Sequence, residues 1–286
     1  MKTRIDAALS TVLRRAEETA PPRLSGAIRH AVFPGGARVR PQLCLSVAGA
    51  QGHEPSALAL AAACSIELLH CASLVHDDLP CFDDADRRRG RPSVHRAFGE
   101  PLAILAGDAL IVLAFETLAR ECGARPEQVV AIVATVARAV GTPSGLVAGQ
   151  AWESEPSVPL DKYHRAKTGA LFVAATMSGA IAAGRDPAPW REMGERLGDA
   201  YQIADDLLDA LALSDEGGKP VQRDASLGRP NAVASLGVSG ALGLLRNLVA
   251  QAVASVPDCA GAEALRGLVL KMADRLVPAG LKQSAA

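Results

Sequence analysis

The chain has 286 residues, a formal net charge of −1, 49% hydrophobic residues and only 3% aromatic ones. That length allows one large domain or two small ones, and the near-neutral charge excludes a nucleic-acid binder working by bulk electrostatics. The apolar share is carried by Ala, Leu and Val, a mixture that favours helix over strand.

Lys2, Arg4 and Asp6 give a charged N-terminus with no apolar signal core. An opening helix is predicted to end at Pro21-Pro22 and the next to break at Pro34-Gly35-Gly36. A third starts near Arg38, carries Pro41 in its first turn and reaches Ala50. From about Pro55 to His76 a long apolar helix runs into an acidic cluster. Pro101–Cys122, Pro126–Val140 and Thr168–Ala183 are further predicted helices, and Pro187–Leu213 carries a second acidic cluster. Gly217–Asn231 is a polar loop rich in Gly, Pro and charge, and helices over Gly237–Ser255 and Gly261–Leu276 follow. No alternating strand pattern competes, and no repeat of roughly 20–50 residues or dividing linker is visible. The expectation is an all-α fold, one helical bundle over residues 1–286 with a central cavity. The longest apolar stretches, near Leu102–Phe115 and Leu171–Gly184, read as too short for a bilayer. The six cysteines show no zinc spacing and read as reduced small hydrophobes. Together these features predict a cytoplasmic protein without stable membrane insertion.

The chemistry is concentrated in the acids. Asp77-Asp78-Leu79-Pro80-Cys81-Phe82-Asp83-Asp84 is followed by Arg87-Arg88-Arg89-Gly90, and Asp205-Asp206-Leu207-Leu208-Asp209 forms the second cluster. Charge after an apolar helix needs compensation. Mg²⁺ supplies it, binding carboxylates while keeping positions open for phosphate oxygens. Asp205 and Asp209, four residues apart, share one helix face, whereas Asp206 points partly away. Asp77 and Asp83 would lie about 120° apart on a regular helix, so their convergence needs a distortion near Pro80. The arginines after the first cluster suit an anion, since a guanidinium donates bidentately to phosphate.

With these residues in view, the chain resembles the trans-type polyprenyl diphosphate synthases. Both aspartate-rich regions match, as do Gly35-Gly36-Ala37-Arg38-Val39-Arg40-Pro41, Glu67-Leu68-Leu69-His70, Leu105-Ala106-Gly107-Asp108, Gly149-Gln150 and Lys167-Thr168-Gly169, all in family order over roughly residues 25–240. The likeness is nearest to bacterial geranylgeranyl diphosphate synthases of carotenoid pathways. It implies an isoprenoid-synthase bundle, a homodimer and three Mg²⁺ ions. Asp77, Asp83, Asp205 and Asp209 would be the metal ligands, supported by Asp78 and Asp206. Lys167, Arg88 and Lys219, with Thr168 and Gln202 nearby and Arg229 retaining a family charge, would face an allylic diphosphate. Arg40, His70 and Arg89 would hold the diphosphate of isopentenyl diphosphate. Ala37 stands where the family usually has lysine, and Arg38 and Arg40 are expected to compensate.

The implied reaction is electrophilic prenyl transfer. Ionisation of the allylic diphosphate gives a cation, the double bond of isopentenyl diphosphate attacks it, and the released diphosphate takes the proton. Gly217–Asn231 is a candidate lid against water. Ala72 and Ser73, about one turn below Asp77, are small, which predicts a cavity deep enough for a C20 product above Leu69 and Leu68. The alternatives are a farnesyl (C15) synthase, a noncatalytic partner subunit, and a class I terpene cyclase, the last disfavoured by the scarcity of aromatic residues.

Overall fold

The structure, a computed structural model, describes residues 1–33, 35–157, 159–210 and 231–276. In chain order the helices are α1 (Lys2–Glu17), α2 (Pro22–Val32), α3 (Val39–Gly49), α4 (Ala57–Asp77), α5 (Val94–Phe98), α6 (Glu100–Ala119) and α7 (Pro126–Val140). They continue as α8 (Leu146–Ala151), α9 (Leu160–His164), α10 (Ala170–Ala182), α11 (Arg191–Ala210), α12 (Ala232–Ala254) and α13 (Ala262–Leu276). The fold is all-α, as the composition predicts.

α4 is the axis of the bundle. Ser56 caps it, its side chain accepting from the Ala59 amide at 3.2 Å. Most of its Ala, Leu and Cys side chains are buried, and they are spread round the helix rather than along one stripe. It packs most extensively against α6, and also against α3 and α10. The main core gathers Ile5, Leu9 and Leu13 of α1, Leu43 of α3, Ile66 and Leu68 of α4, Leu110 of α6 and Phe172 of α10. A second, smaller cluster joins Ala200, Ile203, Ala204 and Leu207 of α11 to Ala241, Leu245 and Leu248 of α12. α10, α11 and α4 thus carry the two acidic regions on one connected frame.

Two sequence expectations change. A minimal antiparallel hairpin does form, β1 (Arg87–Arg88) with β2 (Arg91–Pro92), pairing Arg88 with Arg91. Its two-residue loop, Arg89-Gly90, has φ of 52° and 75°, the positive pair that a tight hairpin turn requires. Two-residue strands leave no alternating pattern to read, so the sequence shows only the Gly90 that permits the turn. Second, among the described residues three helices are long and apolar enough to cross a membrane, Ala57–Asp77, Glu100–Ala119 and Ala232–Ala254, against the expectation that no stretch suffices. Counting uninterrupted apolar runs underestimated them, because each helix extends beyond its apolar run. The apolar window of α4 is 83% buried inside the bundle, so there the greasy residues are core.

Candidate active site

α4 ends at Asp77 rather than running on through Pro80. The Leu79 amide donates to the His76 carbonyl at 3.1 Å, the Asp84 amide to the Leu79 carbonyl at 3.0 Å, and the Asp83 amide back to the Asp77 carbonyl at 2.9 Å. The chain therefore folds over the end of its own helix, and the angle expected on a continuous helix does not apply. This return turn brings the backbone of Asp83 to that of Asp77, through the break that the sequence reading required near Pro80. The first of these acids is buried, and Gln150 Nε2 donates to Asp77 Oδ1 at 2.8 Å. Asp78 is only 2% exposed and is gripped by the Arg88 guanidinium, whose Nε lies 3.1 Å from Oδ1. Burial pushes the Asp78 carboxyl above its ordinary pKa, and Arg88 opposes that shift. Two of the predicted site residues are thus each other's partners.

The hairpin delivers Arg89 to a second basic group. Its guanidinium lies against Gly36, where an added Cβ would stand 3.1 Å from Arg89 Cζ. Arg40, at the start of α3, stacks over Phe172 at 4.7 Å and Tyr201 at 5.8 Å, an arrangement that suits a partly desolvated cation. Arg40 Nη1 is 3.5 Å from His70 Nε2. Arginine can only donate, so Nε2 accepts and the imidazole proton belongs on Nδ1. Burial, then the charges of Arg40, Arg89 and Arg88, hold His70 well below its usual pKa and keep it neutral. The three residues read as one anion group, Arg40, His70 and Arg89, do come together. The charge of Asp205 acts on both Arg40 and Tyr201, which brings the second acidic region beside this cluster.

On α11 the acids divide by environment. Asp205 is exposed and Asp209 half-buried, while Asp206 is 1% exposed. Thr168 Oγ1 donates to Gln202 Oε1 at 2.8 Å, and Gln202 Nε2 donates to Asp206 Oδ1 at 3.0 Å. The Ala232 amide then donates to Asp206 Oδ2 at 2.8 Å. Asp206 thereby ties α11 to the start of α12 and to the turn carrying Thr168.

That turn is unusual. Arg165–Gly169 forms a π-helical turn between α9 and α10, a distortion frequent at functional sites. Gly149 of α8 packs directly beneath it, since an added Cβ would be 2.4 Å from the Lys167 amide nitrogen. Lys167 Nζ is ion-paired with Glu153 and lies 5.7 Å from the Tyr163 ring centre. Tyr163 donates its hydroxyl to the same Glu153 carboxylate at 2.5 Å. In this arrangement Lys167 points its charge at Glu153. Ala72 and Ser73 are buried on α4, with Ser73 Oγ donating to the His70 carbonyl at 2.9 Å. Lys219, Arg229 and the loop before Asn231 lie outside the described residues.

One expectation is corrected. Arg38 does not stand in for the missing lysine at Ala37, because its guanidinium is committed to Asp6, Glu67 and the Val32 carbonyl. The sequence reading also gave no role to Gln150, Glu153, Tyr163 or Glu67. A lone acid within the apolar run of α4 was the available signal for Glu67, the same signal that marked the aspartates. Three cysteines behave as expected, for burial pushes Cys44, Cys64 and Cys71 up to about 12, leaving them inert thiols.

Among the described residues no three His, Cys, Asp or Glu side chains cluster closely enough to hold an ion by themselves. Mg²⁺ does not need such a cage: it takes one or two carboxylates and completes its sphere with phosphate oxygens and water. The hard oxygen donors of Asp77, Asp83, Asp205 and Asp209 fit that mode.

An all-α bundle carrying two aspartate-bearing helix regions and a basic cluster beside them matches the isoprenoid-synthase class of fold. Comparison with known proteins makes this specific. The polyprenyl synthetase family model matches residues 21–260. The chain is 53% identical over 277 residues to the geranylgeranyl diphosphate synthase of Cereibacter sphaeroides, covering 96% of each chain. It is 49% identical to the enzyme of the same name from Rhodobacter capsulatus, over 96% of this chain and 95% of that one. Among solved structures, a Helicobacter pylori geranyltransferase complexed with magnesium and isoprenyl diphosphate superposes with a TM-score of 0.81 at 27% identity, covering 96% of both chains. The chain belongs to the polyprenyl synthetase family.

Proposed function

We propose that this protein is a prenyltransferase that condenses isopentenyl diphosphate with C5, C10 or C15 allylic diphosphates and releases geranylgeranyl diphosphate. The observation that carries the reading is the Arg40–His70–Arg89 cluster, with His70 two turns before Asp77 on α4 and the charge of Asp205 acting on Arg40. Two diphosphates can then be held side by side, one by metal-bridged carboxylates and one by fixed cations.

Asp77 and Asp83 on one wall, with Asp205 and Asp209 on the other, would hold Mg²⁺, three ions by family resemblance. Bound there, Mg²⁺ would neutralise the charge growing on the departing allylic diphosphate. Arg88 and Lys167 add fixed positive charge to the same group, and release of Lys167 from Glu153 would free it to do so. By family resemblance Lys219 would contact the same diphosphate, and Arg229 is a further candidate for substrate binding. Arg40, neutral His70 and Arg89 orient isopentenyl diphosphate so that its double bond faces the allylic carbon. Thr168, Gln202 and Asp206 keep α11 in register beneath the reaction. No side-chain nucleophile takes part. Two copies of the chain are proposed to associate as a homodimer.

The test is condensation of labelled isopentenyl diphosphate with each primer in the presence of Mg²⁺, with product length read after dephosphorylation. A dominant C20 product lost in Asp77→Ala and Asp205→Ala supports the reading. C15 as the main product would replace it by a farnesyl synthase. No condensation from any primer by the unaltered chain would favour a noncatalytic partner subunit.

A further inference from the structure

Outside that site, the described residues include one closely paired buried arginine and glutamate. Arg38 and Glu67 are each 2% exposed, and Arg38 Nη1 donates to Glu67 Oε1 at 2.5 Å. Arg38 Nε also donates to Asp6 Oδ1 at 2.9 Å and Nη2 to the Val32 carbonyl at 2.7 Å. One guanidinium therefore ties together α1, the end of α2 and α4. The residue holds φ at 53°, left-handed and disfavoured for a side chain of this size. Its guanidinium covers Gly35, where an added Cβ would lie 1.9 Å from Arg38 Cζ.

Stability alone is a weak reason for this arrangement. A buried ion pair gains little over apolar residues of equal volume, and its best-attested use is to fix register. The register at stake here is visible. Arg38 precedes Arg40 by two residues, and Glu67 precedes His70 by one helical turn on α4. The loop held by Arg38 also contains Gly36, the surface on which Arg89 rests. Arg40 Nε is buried with no hydrogen-bond partner among the described residues. No hydrogen bond at Nε helps to hold the Arg40 fork, so its place depends on its stacking over Phe172 and Tyr201 and on where α3 starts, and Arg38 is the residue at that start.

We propose that the Arg38–Glu67 pair, braced by Asp6, is a positioning device for the isopentenyl diphosphate subsite, setting the mutual spacing of Arg40, His70 and Arg89 through the backbone. This rests on reading those three residues as that subsite. Ala37 sharpens the dependence, because with one customary cation missing, each remaining donor must be well placed.

The measurement is KM for each substrate, together with Tm, in Glu67→Gln, Arg38→Met and the double variant Arg38→Met/Glu67→Met. Each single substitution is expected to raise KM for isopentenyl diphosphate about tenfold, or ~1.4 kcal/mol, with much less change in KM for the allylic substrate. Removing both charges together should return Tm toward that of the unaltered protein while KM for isopentenyl diphosphate stays high. If that KM recovers along with Tm, or both KM values rise equally, the pair is a packing contact and the proposal is overturned. Should the single variants not fold, Asp6→Asn reports instead, since its side chain is 26% exposed. A raised KM for isopentenyl diphosphate at unchanged Tm supports positioning, and an unchanged KM sinks it. Arg40→Ala serves as the control, because an unaltered KM there would dispose of the subsite reading itself.

Discussion

His70 shows how a residue's chemistry is set by its neighbours. Burial strips its solvent and four arginines, Arg40, Arg89, Arg88 and Arg38, act on it, so it stays neutral. Its pKa is about 6.5 in the unfolded chain and lower in the folded one. The folded protein therefore binds fewer protons over that interval, and stability from this group is complete above pH ~6.5 and lost as pH falls below it. Tm of the unaltered protein should drop between about pH 6.5 and pH 5 more steeply than Tm of His70→Gln. Parallel curves would contradict the assignment. His70 was legible in the sequence only through family likeness, since a lone histidine on an apolar helix is more often a satisfied core residue. Its neutrality was not legible, because Arg89 comes from a hairpin nineteen positions further along.

The informative elements are the interrupted ones. α4 stops at Asp77 so that its own chain can return Asp83 to it, and the π-helical turn at Arg165–Gly169 re-aims Lys167 toward Glu153. Gly149 makes the second arrangement possible. Gly149→Ala would force a methyl to 2.4 Å from the Lys167 nitrogen, an overpacking expected to cost about 1–3 kcal/mol. Thermal unfolding should register it as a Tm lower by several degrees, and an unchanged Tm would mean that the turn yields freely. Continuous helices were readable from Pro, Gly and apolar runs, and Pro126–Val140 agrees at both ends with the observed α7. The short α5, α8 and α9, the π turn and the hairpin were not readable, because each is held by contacts from other parts of the chain rather than by its own periodicity.

At the scale of the molecule, we propose that product length is set by the depth available beside α4 below Asp77. Ala72 and Ser73 are small and buried below Asp77. Ala72→Phe should shift the main product from C20 to C15 with the condensation itself retained, as read by product chromatography. Persistence of C20 would place the floor elsewhere, on the helices that face α4. Size-exclusion chromatography at several loading concentrations checks the proposed homodimer, and a purely monomeric profile would refute it.

By itself the sequence determined the helical class, most long helices, the acidic and basic motifs and their order, because helix periodicity and short motifs are local properties of the chain. It also determined that Asp205 and Asp209 share a face, which follows from their spacing alone. Only the tertiary structure decided which charges are occupied with each other. Asp78 takes Arg88, Asp206 takes Gln202 and the Ala232 amide, and Arg38 takes Glu67. Apart from Gln202 and Asp206, one turn apart on α11, each of these pairs joins separate elements, and burial turns charges that look equivalent in sequence into fixed partners.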